Sequence, residues 1–324
     1  MPLSTICLPI RSELALLERE LESACVSNID LVQNAASYVL RNGGKRIRPA
    51  VMILSARLLG ASSQNIAPLA AAIELVHAAS LLHDDVLDNA PLRRGKPSAN
   101  TKWGNQISIL LGDFFWCSAS HLAVKHGSAK IWDSMIDAVS KTTRGEILEI
   151  VKTNDWTVTK KEYLEIITLK TAHLFQSACR IGAIFAEAGE TFERALMDYG
   201  INIGIAFQLA DDVLDYSSSD EQFGKRVGTD IKEGRFTLPL LLTLAKGNSS
   251  EIATIKNILL SAVTDRAALN HIRDILNRHG SIEASLKEAN AYAGKAKDAL
   301  TPFKPSLFKD ALTALADYAV SRRE

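Results

Sequence analysis

The pentapeptide Asp-Asp-Val-Leu-Asp occurs twice, at Asp84 to Asp88 and Asp211 to Asp215, each time within a segment whose apolar residues recur at helical spacing. On a helix, the first and last aspartates of each copy fall at i and i+4 on one face, with the second aspartate alongside. A solvated helix end accounts for one such copy. Two copies in apolar surroundings, after Ala78 to Leu82 and after Ile205 to Ala210, are costly unless cations compensate them. Oxygen-only ligands favour Mg²⁺, which shares its shell between a few carboxylates and phosphate oxygens. The expected guest is therefore a metal–diphosphate complex, and the fold must bring the two acidic rows to face each other.

Apolar residues recur every three or four positions almost throughout, as at Leu14, Leu17 and Leu21 or Ile107, Leu111 and Phe114, while alternating runs are scarce. This pattern predicts an all-α fold. Prolines at 49, 68, 91, 97, 239 and 302 fall where helices start or stop. Two polar, Gly-containing loops, Asn89 to Asn100 and Ser217 to Thr237, follow the two acidic rows directly. No linker divides the chain, so residues 1–324 are expected to form one domain.

With 37 basic and 37 acidic residues in 324, the overall charge suggests neither a nucleic-acid surface nor a polybasic membrane anchor. The 47% hydrophobic content supports a large core. Four scattered cysteines lack metal-site spacing and fit a reducing compartment. No secretory signal and no uninterrupted apolar run of about 18 residues is evident, so a cytoplasmic protein without an integral membrane segment is expected.

Positive charge comes in short bursts. His77, Leu81, Asp84 and Asp88 share one helical face, as do Gln208, Asp211, Asp212 and Asp215. The amide of Gln208 can bond phosphate or a metal-bound water without adding charge. In Gly43-Gly44-Lys45-Arg46-Ile47-Arg48-Pro49, flexible glycines and a helix-initiating proline are expected to bring backbone N–H groups, Lys45 and Arg48 onto an anion. The spacing is not that of a nucleotide-binding P-loop. Arg93-Arg94 adds guanidinium forks suited to phosphate, although such a pair is also common on a solvated surface. Lys170-Thr171 and the loop cations Lys225, Lys232 and Arg235 can complete the rim, with Gly224, Gly228 and Gly234 forming a flap that excludes water.

Together these segments resemble the trans-isoprenyl diphosphate synthases. The resemblance rests on Gly43 to Pro49; on Leu82 to Asp88 followed by Arg93-Arg94-Gly95; on Lys170-Thr171-Ala172; and on Phe207 to Tyr216, extended by Gly224-Lys225 and Thr237-Leu238-Pro239. It implies a helical bundle around a central cleft, the isoprenoid synthase type I fold, and a homodimer. It implies that Asp84, Asp88 and Asp211 bind Mg²⁺ bridging to an allylic diphosphate, with Asp85, Asp212 and Asp215 in the same walls. Lys45, Arg48, His77 and Arg94 would bind isopentenyl diphosphate, and Arg93, Lys170, Thr171, Gln208 and Lys225 the allylic diphosphate. Asp84, Asp85, Asp88, Asp211, Asp212 and Lys170 are the expected catalytic set. Two positions depart from the family pattern: Arg235 stands where many members carry Lys, and Glu149 where many carry Gln, and neither is given a role.

The implied reaction ionises the allylic C–O bond, adds the double bond of isopentenyl diphosphate and loses a proton, lengthening the chain by one isoprene unit. Ala79 and Ser80, one turn deeper than the first acidic row, are small; since a helical turn advances about 5.4 Å, they would let a tail grow beyond geranylgeranyl, centred on octaprenyl and suited to quinone side chains. Small residues there also permit close helix packing. A geranylgeranyl synthase, a class I terpene cyclase and a non-catalytic partner subunit are the competing readings.

Overall fold

The structure, a computed structural model, describes residues 1–62, 65–217, 229–260 and 266–321, and these are almost entirely helical. After α1 (Leu3–Ile6) and a 3-10 turn come α2 (Arg11–Ala24), α3 (Asp30–Arg41), α4 (Ile47–Leu58) and α5 (Ala67–Leu87). A short antiparallel hairpin, β1 (Leu92–Arg93) with β2 (Lys96–Pro97), leads to α6 (Ala99–His126), α7 (Ala129–Lys152) and α8 (Lys160–Ile167). A single π-helical turn, Thr168–Ala172, joins α8 to α9 (His173–Phe185), which is followed by α10 (Glu190–Ser217). The remaining helices are Thr229–Lys232, Leu238–Lys246, Ser249–Leu260, Arg266–Arg278, Ser281–Ala299 and Leu307–Ser321.

Apart from Glu74, helix α5 is apolar on every side from Ala67 to Val76 and buried throughout that stretch, which marks a core helix. It packs along α6. Pro68 in its first turn and Asn89 in the left-handed conformation (φ 48°) just beyond its end delimit it. Helix α10 contributes Leu196, Tyr199 and Ile203 to the main core and Ile205 and Leu209 to a second core shared with α8 and Leu238–Lys246. The last turns of α5 and α10, which carry the acidic rows, thus project from packed elements.

By length and composition alone, α6 is apolar enough to cross a membrane, a test that the core helix of a soluble protein also passes; 39% of its most apolar window is buried in the fold. Its outer face and that of α7 expose large apolar side chains, among them Leu110 at 63% and Val151 at 67%.

Candidate active site

The first acidic wall is the end of α5. Asp85 is buried, and its Oδ1 accepts from Arg93 Nε at 2.8 Å and from Arg93 Nη2, while its backbone carbonyl accepts from Asn100 at 3.0 Å. Arg93, expected on the allylic diphosphate, is thus tethered to the wall itself. Burial pushes the Asp84 carboxyl up to about 7; neighbouring Glu146 adds to the rise, while Lys170 and Arg93 oppose it. Asp88 accepts from Arg235 Nη2 at 2.7 Å.

The second wall is the end of α10. Asp212 is buried, accepting from Tyr163 Oη at 2.5 Å and Gln208 Nε2 at 2.7 Å, and Thr171 Oγ1 donates to Gln208 Oε1 at 2.8 Å. Burial outweighs these hydrogen bonds and pushes Asp212 up to about 7, with Asp211 adding to the rise. Asp215 accepts from the backbone N–H of Asp230 at 3.2 Å. Sequence reasoning missed Tyr163. It is placed by a capping box at the start of α8, where Thr159 and Glu162 satisfy each other's backbone N–H groups, a signal legible as a helix start but silent about Asp212.

Lys170 bridges toward the walls. The π turn that carries Lys170 and Thr171 packs against Gly145 of α7, where a Cβ would lie 2.5 Å from the backbone nitrogen of Lys170. π turns recur at functional sites because the extra residue re-aims side chains. Here Lys170 Nζ reaches Glu146 at 2.7 Å and Glu149 at 2.6 Å, two carboxylates at i and i+3 on α7. Arg235 continues the chain of charge, contacting Glu149 at 3.3 Å, Glu233 at 3.1 Å and Asp230 at 4.0 Å in addition to Asp88. Arg235 thus links Asp88 of the first row to Asp230, whose backbone N–H meets Asp215 of the second. A cleft lined by Glu149, Tyr163, Lys170, Thr171, Gln208, Asp212 and Arg235 opens beside it. Lys225, with Gly224 and Gly228, lies outside the described residues.

A second cluster is cationic. Arg48 Nη1 lies 3.0 Å from His77 Nε2, and because guanidinium only donates, the ring nitrogen is the acceptor. Burial lowers the His77 pKa, and Arg48, Arg94, Arg93 and Arg46 lower it further, so the imidazole is neutral near pH 7. His77 shares a helix with the carboxylates, yet its close charged company is arginine. Arg48 also lies over the Phe175 ring at 4.6 Å, and Lys45 stands 5.8 Å from the Tyr318 ring centroid.

The glycines of this segment serve a different purpose from the one expected. Neither has positive φ; it is Arg46 that takes the left-handed conformation, at φ 54°. A Cβ on Gly43 would lie 2.4 Å from Arg46 Nη1, and one on Gly44 2.6 Å from Arg94 Nη2. The glycines are seats for two guanidinium groups. Arg46 is held by Glu18 at 2.8 Å, Glu74 at 2.8 Å and the Leu40 carbonyl at 3.0 Å, and Arg94 by the Asn42 carbonyl at 3.0 Å. Arg46 with Glu74 and Arg48 with His77 form two successive rungs between the start of α4 and α5.

The donor set suits a hard cation. Among the described residues, no three His, Cys, Asp or Glu side chains converge closely enough to hold a metal by themselves. Mg²⁺ ordinarily completes its shell with phosphate oxygens and water, so a few carboxylates suffice; Asp84, raised by burial and by neighbouring Glu146 and Asp88, is a carboxyl whose charged form a cation would favour, and Asp88 and Asp211 offer the same oxygen donors. Ala79 is 5% exposed, and Ser80 donates to the His77 carbonyl at 2.9 Å. Both lie one turn below the row on α5, which packs along α6.

The family described as Polyprenyl synthetase matches residues 29–276. The chain is 40% identical over 296 residues to the octaprenyl diphosphate synthase of Haemophilus influenzae, covering 91% of this chain and 90% of that one. It is 38% identical, over 91% of each chain, to the octaprenyl diphosphate synthase of Escherichia coli. A crystal structure of a polyprenyl synthase from Caulobacter crescentus, complexed with calcium and isoprenyl diphosphate, superposes with a TM-score of 0.96 at 38% identity, over 100% of this chain and 98% of that one. A decaprenyl diphosphate synthase structure from Rhodobacter capsulatus gives 0.93 at 31% identity, with both chains fully covered. Fold, motif order and similarity over nearly the whole length agree: the chain is a prenyltransferase belonging to the polyprenyl synthetase family.

Proposed function

We propose that this enzyme lengthens an allylic diphosphate such as farnesyl diphosphate by repeated head-to-tail condensation with isopentenyl diphosphate, with Mg²⁺ as its cofactor. What supports this reading is a pair of separate charged groups: the acidic rows with Arg235 on Asp88 and Lys170 on Glu149, and a cationic set in which Arg48 and Arg94 act on a neutral His77. A terpene cyclase needs only the first.

Asp84, Asp88 and Asp211 would hold Mg²⁺, which supplies electrostatic stabilisation of the charge developing on the departing diphosphate. Lys170, Thr171, Gln208 and Arg93 would orient that diphosphate against the walls. Arg48, Lys45 and Arg94 would hold the second diphosphate, with His77 kept neutral so that it steadies Arg48 without adding charge. Residues Ala79 and Ser80 would leave room for a tail beyond geranylgeranyl, in the heptaprenyl to decaprenyl range and centred on octaprenyl, the length named for the bacterial relatives. Such products suit quinone side chains. The exposed apolar faces of α6 and α7 support a homodimer.

The deciding assay supplies purified protein with Mg²⁺, farnesyl diphosphate and labelled isopentenyl diphosphate, reading product length by mass spectrometry. Label in a chain of about eight isoprene units is expected. A cyclised hydrocarbon without label would establish the cyclase reading instead.

A further inference from the structure

Glu149 stands on α7 between the two acidic rows, and one of its oxygens serves two cations from distant parts of the chain. Its Oε2 lies 2.6 Å from Lys170 Nζ, on the π turn, and 3.3 Å from Arg235 Nε, on the segment before Leu238–Lys246. Arg235 then spreads its other nitrogens over Asp88 at 2.7 Å and Glu233 at 3.1 Å. These five side chains are partly buried, with exposures between 19% and 27%, so their pairing is less screened than on an open surface.

Glu149 and Arg235 are also the two positions at which the sequence departs from the pattern it otherwise matches, and they touch. An ammonium at position 235 would be a compact point charge, whereas the guanidinium presents separate donors to Glu149 and Asp88 at once. A glutamine at position 149 would offer no charge to hold either cation. We propose that Glu149 and Arg235 are matched positioning residues: Glu149 fixes where Lys170 and Arg235 present their donors to the allylic diphosphate, and each side chain works only with the other. The inference deepens, and rests on, the reading of the cleft as a prenyl-transfer site.

The test compares the wild type with Glu149→Gln, Arg235→Lys and the double variant. Calorimetry with inorganic pyrophosphate and Mg²⁺ needs no turnover, and steady-state kinetics separates KM for farnesyl diphosphate from KM for isopentenyl diphosphate. Each single variant should weaken pyrophosphate binding and raise the allylic KM about tenfold, the scale of one charge-assisted hydrogen bond, with the isopentenyl KM unchanged. The double variant should return to within about threefold of wild type. Losses that multiply to about 100-fold, as for independent sites, would overturn the inference, as would single variants indistinguishable from wild type. Equal rises in both KM values would also overturn it, indicating general loosening of the cleft. Circular dichroism melting verifies that each variant folds, and Glu149→Asp offers a second single variant, expected to lose affinity because its charge is withdrawn by one methylene. A wild type that incorporates no isopentenyl diphosphate overturns the broader reading instead, and with it the assignment of this pair to an allylic substrate.

Discussion

Replacing Arg46 by Met tests whether the cationic segment is held by one buried ion cluster. The Arg46 and Glu74 side chains are 13% and 5% exposed and lie 2.8 Å apart, whereas Glu18, the other partner, is 52% exposed. Losing the Glu18 contact costs little, because exposed pairs contribute about 0–1 kcal/mol. Stranding Glu74 is the larger effect, since removing one partner of a buried pair costs about 3–5 kcal/mol. Met inherits the same left-handed backbone at φ 54°, so that strain cancels between the two proteins. The expected loss is about 4 kcal/mol. With an unfolding entropy of about 2.1 cal/mol/K per residue over 324 residues, this lowers Tm by roughly 6 °C. Urea denaturation followed by circular dichroism measures it. The double variant Arg46→Met with Glu74→Met should regain most of the loss, because apolar replacement of a whole buried pair is often neutral. It should not regain a normal KM for isopentenyl diphosphate, since Lys45 and Arg48 flank the lost anchor. A single-variant loss under about 1 kcal/mol, or a double variant weaker than the single, would refute the cluster as the anchor.

Other predictions follow from the walls and surfaces. Tyr163→Phe removes the donor to Asp212; about 1.5–3 kcal/mol of stabilisation of the charged form disappears, so the acidic limb of the rate–pH profile should move to higher pH, and an unmoved limb rejects the contact. Asp84 and Asp212 are raised to about 7, so between their unfolded value and pH 7 the folded chain binds more protons than the unfolded chain, and these groups lower stability as pH rises through that window. His77 and His173, both lowered, contribute the opposite slope below their ordinary value, so the diagnostic is a difference: in chelator, Asp212→Asn should gain more stability over wild type at pH 8 than at pH 5, and a gain independent of pH contradicts the raised carboxyl. Ala79→Tyr should shorten the products while turnover persists, as read by reverse-phase chromatography of the dephosphorylated chains; unchanged length places Ala79 outside the tail's path. Leu110→Asp, on the exposed face of α6, should halve the sedimenting mass if that face joins two copies, and an unchanged mass moves the interface elsewhere.

Periodicity made the helical class legible because apolar spacing is local, and the duplicated pentapeptides exposed the acidic rows because crowded carboxylates have few uses. The π turn was not legible: nothing in the residue pattern around Lys170 and Thr171 marks it, and its close packing on Gly145 is seen only in the fold. Tyr163 carried no signal, since its partner Asp212 lies 49 residues away.

Residue type and spacing by themselves determined what the rows are and which cations are available to serve them, since a carboxylate's charge and a helix's pitch travel with the sequence. Tertiary packing decided the pairings. It set Arg46 and Arg94 over two glycines, turned His77 toward arginine, and brought Glu149, Lys170 and Arg235 to one point from three separate segments. Those outcomes depend on which surfaces meet and which charges lose water together, and both are properties of the assembled helices.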